Sequence, residues 1–117
     1  MPAGLLDGIR VLDLGSGISA PWCAKILADY GAEVIKVETP GSGDDARRMG
    51  PFAGDDPDSE KSLTFLYLNT NKRGVSLDIS SVSGRRLFHR LLADADVLVE
   101  NNPPARSKEF GLDYASL

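Results

Sequence analysis

The side chains that could do chemistry in this 117-residue chain are few, and they do not converge on one another. His89 is the sole histidine, so no histidine-based triad and no multi-histidine metal site can be assembled. It stands between Phe88 and Arg90 on the polar side of a helical stretch, which gives it a surface role. Cys23, also alone, falls in the first turn of another helical stretch, where a helix end can lower a thiol pKa. No basic residue shares that turn, and the thiol reads as a buried structural one. Asp44 and Asp45 follow Gly41-Ser42-Gly43 and could meet a cation, but adjacent carboxylates in a loop are ordinarily solvated. No catalytic constellation and no metal site emerge. What remains is a binding pattern: Gly15-Ser16-Gly17 and Ser19 after one aliphatic run, and Glu38 at the end of the next.

The elements that must position these residues form one unit. Ile9–Leu14 reads as a strand interrupted only by Arg10 and Asp13. Gly15-Ser16-Gly17 then turns the backbone tightly. A helix follows, with Ser19 as its expected cap and Pro21 in its first turn, where the missing N–H is harmless. Ile26, Leu27 and Tyr30 are spaced as its apolar face, and Gly31 suits a left-handed helix end. Val34–Glu38 is the next strand. Such a β-α-β unit makes a right-handed crossover with parallel strands. Ligands of open α/β sheets bind outside the carboxyl ends of the strands. Those ends are Gly15 to Ser19 and Glu38 to Gly43, and the helix N-terminus there suits a phosphate or a carbonyl oxygen. The glycines are also explained by a tight turn alone.

Leu5 and Leu6 are expected to tuck against the first strand. Thr39 to Lys61 is rich in glycine, proline and acidic residues and reads as a long loop, a feature that is functional or disordered in compact domains. Leu63–Leu68 fits a strand or a helical turn, and 69–74 a polar turn. Val75–Ile79 alternates as a half-buried strand does. Ser80 or Ser81 caps a helix with Leu87 over Leu91 and Phe88 over Leu92. Val97–Glu100 is a further strand, stopped by Asn101-Asn102-Pro103-Pro104. Short helical pieces are expected from Ala105 onward.

Composition narrows the class. A net charge of −4 argues against a nucleic-acid binder. No apolar run approaches the roughly 20 residues of a membrane span, and the N-terminus lacks the pattern of a secretory signal. A single cysteine allows no internal disulfide, so a cytoplasmic location is expected.

Val11-Leu12-Asp13-Leu14-Gly15-Ser16-Gly17 resembles the first motif of S-adenosylmethionine-dependent methyltransferases, with Glu38 near the place of a ribose-binding acid. Those enzymes usually carry another glycine where Ser19 stands. A longer resemblance covers nearly the whole chain. It rests on Ala28-Asp29-Tyr30-Gly31-Ala32-Glu33-Val34-Ile35-Lys36-Val37-Glu38, then Pro40-Gly41, Asn71-Lys72-Arg73, and Ala95-Asp96-Val97-Leu98-Val99-Glu100-Asn101. In this set and order the chain resembles the N-terminal segment of family III CoA-transferases, which include formyl-CoA transferase, carnitine CoA-transferase and the α-methylacyl-CoA racemases.

The resemblance implies a Rossmann-like α/β fold: a mostly parallel sheet with flanking helices, residues 1–117 forming part of a CoA-binding domain with a loop at about 39–62. It implies coenzyme A as the acyl carrier, acyl-CoA and carboxylic acid substrates, and an interlocked homodimer at full length. Transfer would run through acyl-aspartyl anhydride and thioester intermediates, or, in a racemase, through proton abstraction α to the thioester. The family's catalytic residues lie downstream of the point matching Leu117, so the chain is expected to be inactive by itself. A free-standing CoA- or nucleotide-binding module without chemistry is the alternative of another class. The CoA-contacting places fall at Ile18, Ser19, Thr39, Leu77, Asp78, Ser80, Asn101 and Asn102. Thr39 and Glu109 stand where members often have arginine, and Arg106 or Lys108 could supply the missing cation.

Overall fold

The structure, a computed structural model, describes residues 4–117. Four strands form one all-parallel sheet in the order β3-β2-β1-β4: β1 Arg10–Asp13, β2 Glu33–Glu38, β3 Arg73–Ser76 and β4 Val97–Val99. This is the order of the first four strands of doubly wound sheets, which reverses between β1 and β4. The central strands are aliphatic because both faces of a parallel sheet are covered. On one face Val11 and Val34 pack against Ala24, Ala28 and Ala32. On the other, Leu12 packs with Phe88 and Leu112, flanked by Ile35, Leu91 and Leu98. The α/β class and the parallel sheet therefore stand as expected.

Helix α1 (Ser19–Asp29) covers the first face, but not with the expected residues. Its buried stripe is Ala20, Ala24 and Ala28, whose small side chains let the helix axis approach the sheet closely. Ile26 and Tyr30 are exposed, and Leu27 is half-buried at the margin. The cap also differs. Ile18 is the capping residue, without a side-chain bond, and Ser19 is already helical. Gly31 does take the left-handed conformation, at φ 106°, and a Cβ there would meet Gly4 at 2.9 Å. Leu6 packs at the edge of this core while Leu5 stays in solvent.

The second face is covered by α3 (Val82–Ala93), capped by Ser81, whose hydroxyl accepts from Gly84 N at 2.9 Å. Phe88 is its fully buried anchor. Strand β3 begins and ends earlier than the alternation suggests. Leu77 N still donates to Glu38 O at 2.9 Å, but the chain then leaves the sheet through an Asp78–Ser81 turn. Leu63–Leu68 is helical (α2), with Ser62 as its cap, and Pro104–Glu109 is α4. The segment 39–62 is more ordered than a solvated loop. It holds two short 3-10 turns, Asp45–Arg48 and Ala53–Asp55, and a bridge between Phe52 and Ser62. Among the described residues no helix is long and apolar enough to cross a membrane.

Candidate ligand site at the strand ends

A lysine in the middle of a covered strand must find a partner, since an unpaired buried charge is strongly disfavoured. Lys36 lies in register with Asp13 on the neighbouring strand. Its Nζ is 2.6 Å from Asp44 Oδ2 and 3.5 Å from Asp13 Oδ2, and it donates to Gly15 O at 3.1 Å. Lys72 reaches the same group from beyond α2. Its Nζ lies 2.7 Å from Asp13 Oδ2 and donates to Pro21 O and Asn69 Oδ1. None of the four charged side chains is more than 3% exposed. Two ammonium groups face two carboxylates, so the cluster is neutral.

This cluster shapes the loops above it. Asp13 Oδ1 accepts from Gly15 N, and Asp44 Oδ1 accepts from Gly17 N at 2.8 Å and Ala46 N at 2.7 Å. Burial pushes the Asp44 carboxyl up, but the Lys36 ammonium and these N–H donors outweigh it and hold the group below the ordinary aspartate value. For Lys72 burial prevails over Asp13 and lowers the ammonium's pKa. Beside them Arg47 grips Glu38 with two bonds, Nε to Oε2 at 2.8 Å and Nη2 to Oε1 at 2.9 Å, and stacks on Phe65. That fork holds Glu38 below the usual glutamate range against the opposing effect of burial.

Asn101, just past β4, closes the crevice at the β1/β4 reversal. Its Oδ1 accepts from Ser16 N at 3.0 Å, and its Nδ2 donates to Ser16 O at 2.8 Å and Ser19 Oγ at 3.1 Å. Glu100 Oε2 accepts from Asn102 N, Asn102 Nδ2 and Ser107 Oγ, which fixes the start of α4. Between these loops lies a cavity of about 360 Å3 at the carboxyl ends of the strands. Leu14, Val37, Leu77 and Ile79 give it apolar wall; Glu38, Asp44 and Asp45 are its acidic lining residues, and Arg106 is its one cationic lining residue among those described.

Of the residues expected from the sequence, Thr39, Leu77, Asn101, Asn102 and Arg106 line this cavity together. Ile18 does not. It faces a separate shallow groove with Pro51, Leu63, Tyr67 and Leu68. Ser19 is outside the lining and holds Asn101 instead. Asp78 and Ser80 are hydrogen-bonded to each other in the turn before α3 and do not line the cavity. Asp44 is a buried organiser of the loop, not a solvated carboxylate. Cys23 is exposed, not buried, because the alanine stripe of α1 occupies the core. Sequence reasoning passed over Lys36, Lys72 and Arg47. The signal for the first was present: Asp13 and Lys36 each interrupt an aliphatic strand that must be covered on both sides.

Residues 6–117 match CoA-transferase family III. The succinate–glutarate CoA-transferase of Agrobacterium fabrum is 42% identical over 114 residues, covering 96% of this chain and 28% of that protein. The (R)-2-hydroxy-4-methylpentanoate CoA-transferase of Clostridioides difficile is 41% identical over 110 residues, covering 94% of this chain and 27% of that protein. A CAIB/BAIF family protein from Brucella suis superposes with a TM-score of 0.86 at 40% identity, over 98% of this chain and 30% of the other. The chain thus spans a little over a quarter of the length of these curated relatives. A putative β-ketoacyl-ACP reductase, at 20% identity and a TM-score of 0.51, shares the fold alone. These likenesses favour the transferase reading over the methyltransferase one, and the chain belongs to CoA-transferase family III.

Proposed function

We propose that this chain holds coenzyme A at the strand-end cavity and forms the CoA-binding N-terminal part of a CoA-transferase or acyl-CoA racemase. The observation that carries the reading is the cavity itself. It lies at the carboxyl ends of parallel strands beside a topological reversal, where doubly wound sheets take nucleotides. The apolar wall of Leu14, Val37, Leu77 and Ile79 suits an adenine ring, the Asn102 side chain and Thr39 offer polar groups, and Arg106 offers a cation for phosphate. The shared family supports the ligand, since CoA is the group its members transfer.

The complete reaction on this reading is transfer of CoA between carboxylic acids through acyl-aspartyl anhydride and thioester intermediates, or α-proton exchange on an acyl-CoA, within a homodimer. The chain by itself is proposed to be inactive. A carboxylate nucleophile must be free to attack a thioester carbonyl. Each carboxylate on the cavity wall is instead committed to a cation: Asp44 to Lys36, Glu38 to Arg47 and Asp45 to Arg48.

Calorimetric titration with CoA and with S-adenosylmethionine tests the binding claim. CoA is expected to bind and S-adenosylmethionine not to; the reverse preference would restore the methyltransferase reading. Incubation with acyl-CoA donors and carboxylate acceptors is expected to give no thioester exchange above the buffer rate. Turnover that survives repurification would overturn the inactivity.

A further inference from the structure

We infer that Arg85 and Arg106, held against the ring of Phe110, form an anion cradle at the mouth of the strand-end cavity, and that it takes the phosphate groups of a nucleotide. The inference rests on the CoA reading for the identity of the ligand, but its geometry stands apart from it. Arg106 lines the cavity. Its guanidinium carbon lies 5.5 Å from the centroid of Phe110, and that of Arg85 lies 5.7 Å from the same centroid. One aromatic ring therefore orients two guanidinium groups, one from α3 and one from α4. Arg85 is further tethered by Nε, which donates to Ile79 O at 3.4 Å, and Ile79 is itself cavity wall.

Neither arginine has a carboxylate within ion-pair distance among the described residues, whereas Arg10, Arg47, Arg48 and Arg73 all have one. An arginine stacked on an aromatic ring keeps its in-plane N–H donors free for a planar or tetrahedral oxyanion. In a chain of net charge −4, two such groups beside one cavity mark the place for an anion supplied from outside. The acidic lining repels the same anion less than its sequence suggests, because Lys36 neutralises Asp44 and Arg47 neutralises Glu38. The ligand's orientation follows. Phosphates face α3 and α4, and the apolar wall takes the base.

The probes are CoA, its 3′-dephospho form, and adenosine 3′,5′-bisphosphate, titrated into the chain and into Arg85→Gln and Arg106→Gln. A charge-assisted bond to phosphate is worth enough that each substitution should weaken bisphosphate binding by about tenfold or more. Arg86→Gln, one residue along α3 and away from Phe110, should leave affinity unchanged. Circular dichroism establishes that each variant is folded, and Arg85→Lys and Arg106→Lys, which keep the charge, should recover part of the loss. Bisphosphate binding that falls in both variants supports the cradle even if CoA itself fails to bind, in which case the CoA reading alone falls. CoA binding that neither substitution changes overturns the cradle and leaves the CoA reading intact. Absence of binding by all three probes overturns both.

Discussion

Up to Arg73 each lysine and arginine of the chain lies within ion-pair distance of a carboxylate, and from Arg85 onward none does among the described residues. The two regions put charge to different uses. In the first, β1, β2 and the segment 39–62 are tied by the Asp13–Lys36–Asp44–Lys72 cluster, which is buried in the sheet's upper end. In the second, α3 and α4 carry Arg85, Arg86, Arg90, Arg106 and Lys108 outward, over a core built on Phe88 and Leu112. Charge positions backbone in the first region and is left without a carboxylate partner in the second.

The largest test of this contrast is Lys36→Met. It leaves two buried carboxylates facing Lys72 alone, and breaking a buried pair by removing one partner destabilises by about 3–5 kcal/mol. Urea unfolding should show that loss, or no cooperative transition at all. Arg90→Gln, in the second region, should stay within about 0.5 kcal/mol. Comparable losses for the two variants would erase the distinction between the regions.

Acid titration probes the same contrast with less force. The folded-state values of Glu38 and Asp44 lie below their ordinary 4.5 and 3.8. A carboxyl depressed by folding stabilises fully above its unfolded value, and that contribution is lost as pH falls through the folded value. Stability should therefore begin to decline below about pH 4.5 and continue to do so beneath 3.8. Glu38→Gln should lower stability at neutral pH by about 1.5–3 kcal/mol and flatten the acid decline. Glu109→Gln, with no ion pair among the described residues, should leave the decline as it was. An unchanged acid limb in Glu38→Gln would mean that the Arg47 fork adds nothing in solution.

Within the second region order comes from close steric fit. A Cβ on Gly84 would fall 1.8 Å from Asp78 O and 2.7 Å from Ser81 Oγ, so α3 rests directly on the turn that precedes it. Gly84→Ala should cost about 1–3 kcal/mol through the shift it forces, without altering the acid limb. A neutral result would show that the Asp78–Ser81 turn yields, and that α3 is less firmly placed than Lys36 and its partners.

These contrasts also explain what could be read from the sequence. The β-α-β unit, the left-handed Gly31 and the Ser81 cap follow from local rules, and the sequence motifs led to the family. The alanine face of α1 was missed because hydrophobic spacing favours the larger Ile26 and Tyr30, while the actual determinant is how near the helix comes to the sheet. The early start of β3 was missed because Arg73 and Gly74 carry no alternation; pairing with Ile35 and Lys36 places them in the strand. Asp44 looked solvated because its partner Lys36 lies eight residues earlier inside β2, and only the turn that brings the chain back over the end of that strand joins the two. Thr39, Leu77, Asn101 and Asn102 came from the family resemblance, with Arg106 as a substitute cation, and the structure lines one cavity with all five. Arg85 lies in the first turn of α3, and only the fold brings it to Phe110.

The smallest expected effect concerns the two edges of the sheet, which repeat the contrast in reverse. At the β3 edge Arg73 lies 3.7 Å from Glu33, and a charged residue on an edge discourages pairing with another chain. At the β4 edge Val97, Leu98 and Val99 carry no charge, and Val97 is 38% exposed. An aliphatic edge with free backbone groups is a template for a further strand, including one from a second copy. The chain is therefore expected to self-associate as its concentration rises, through β4 and not β3. Sedimentation velocity across a wide concentration range reads this directly. Val97→Lys should shift the distribution toward monomer, while Val75→Lys, at the guarded edge, should not. A monomer at all concentrations would show that the short β4 edge is not used, and equal shifts from the two substitutions would show that association does not distinguish the edges.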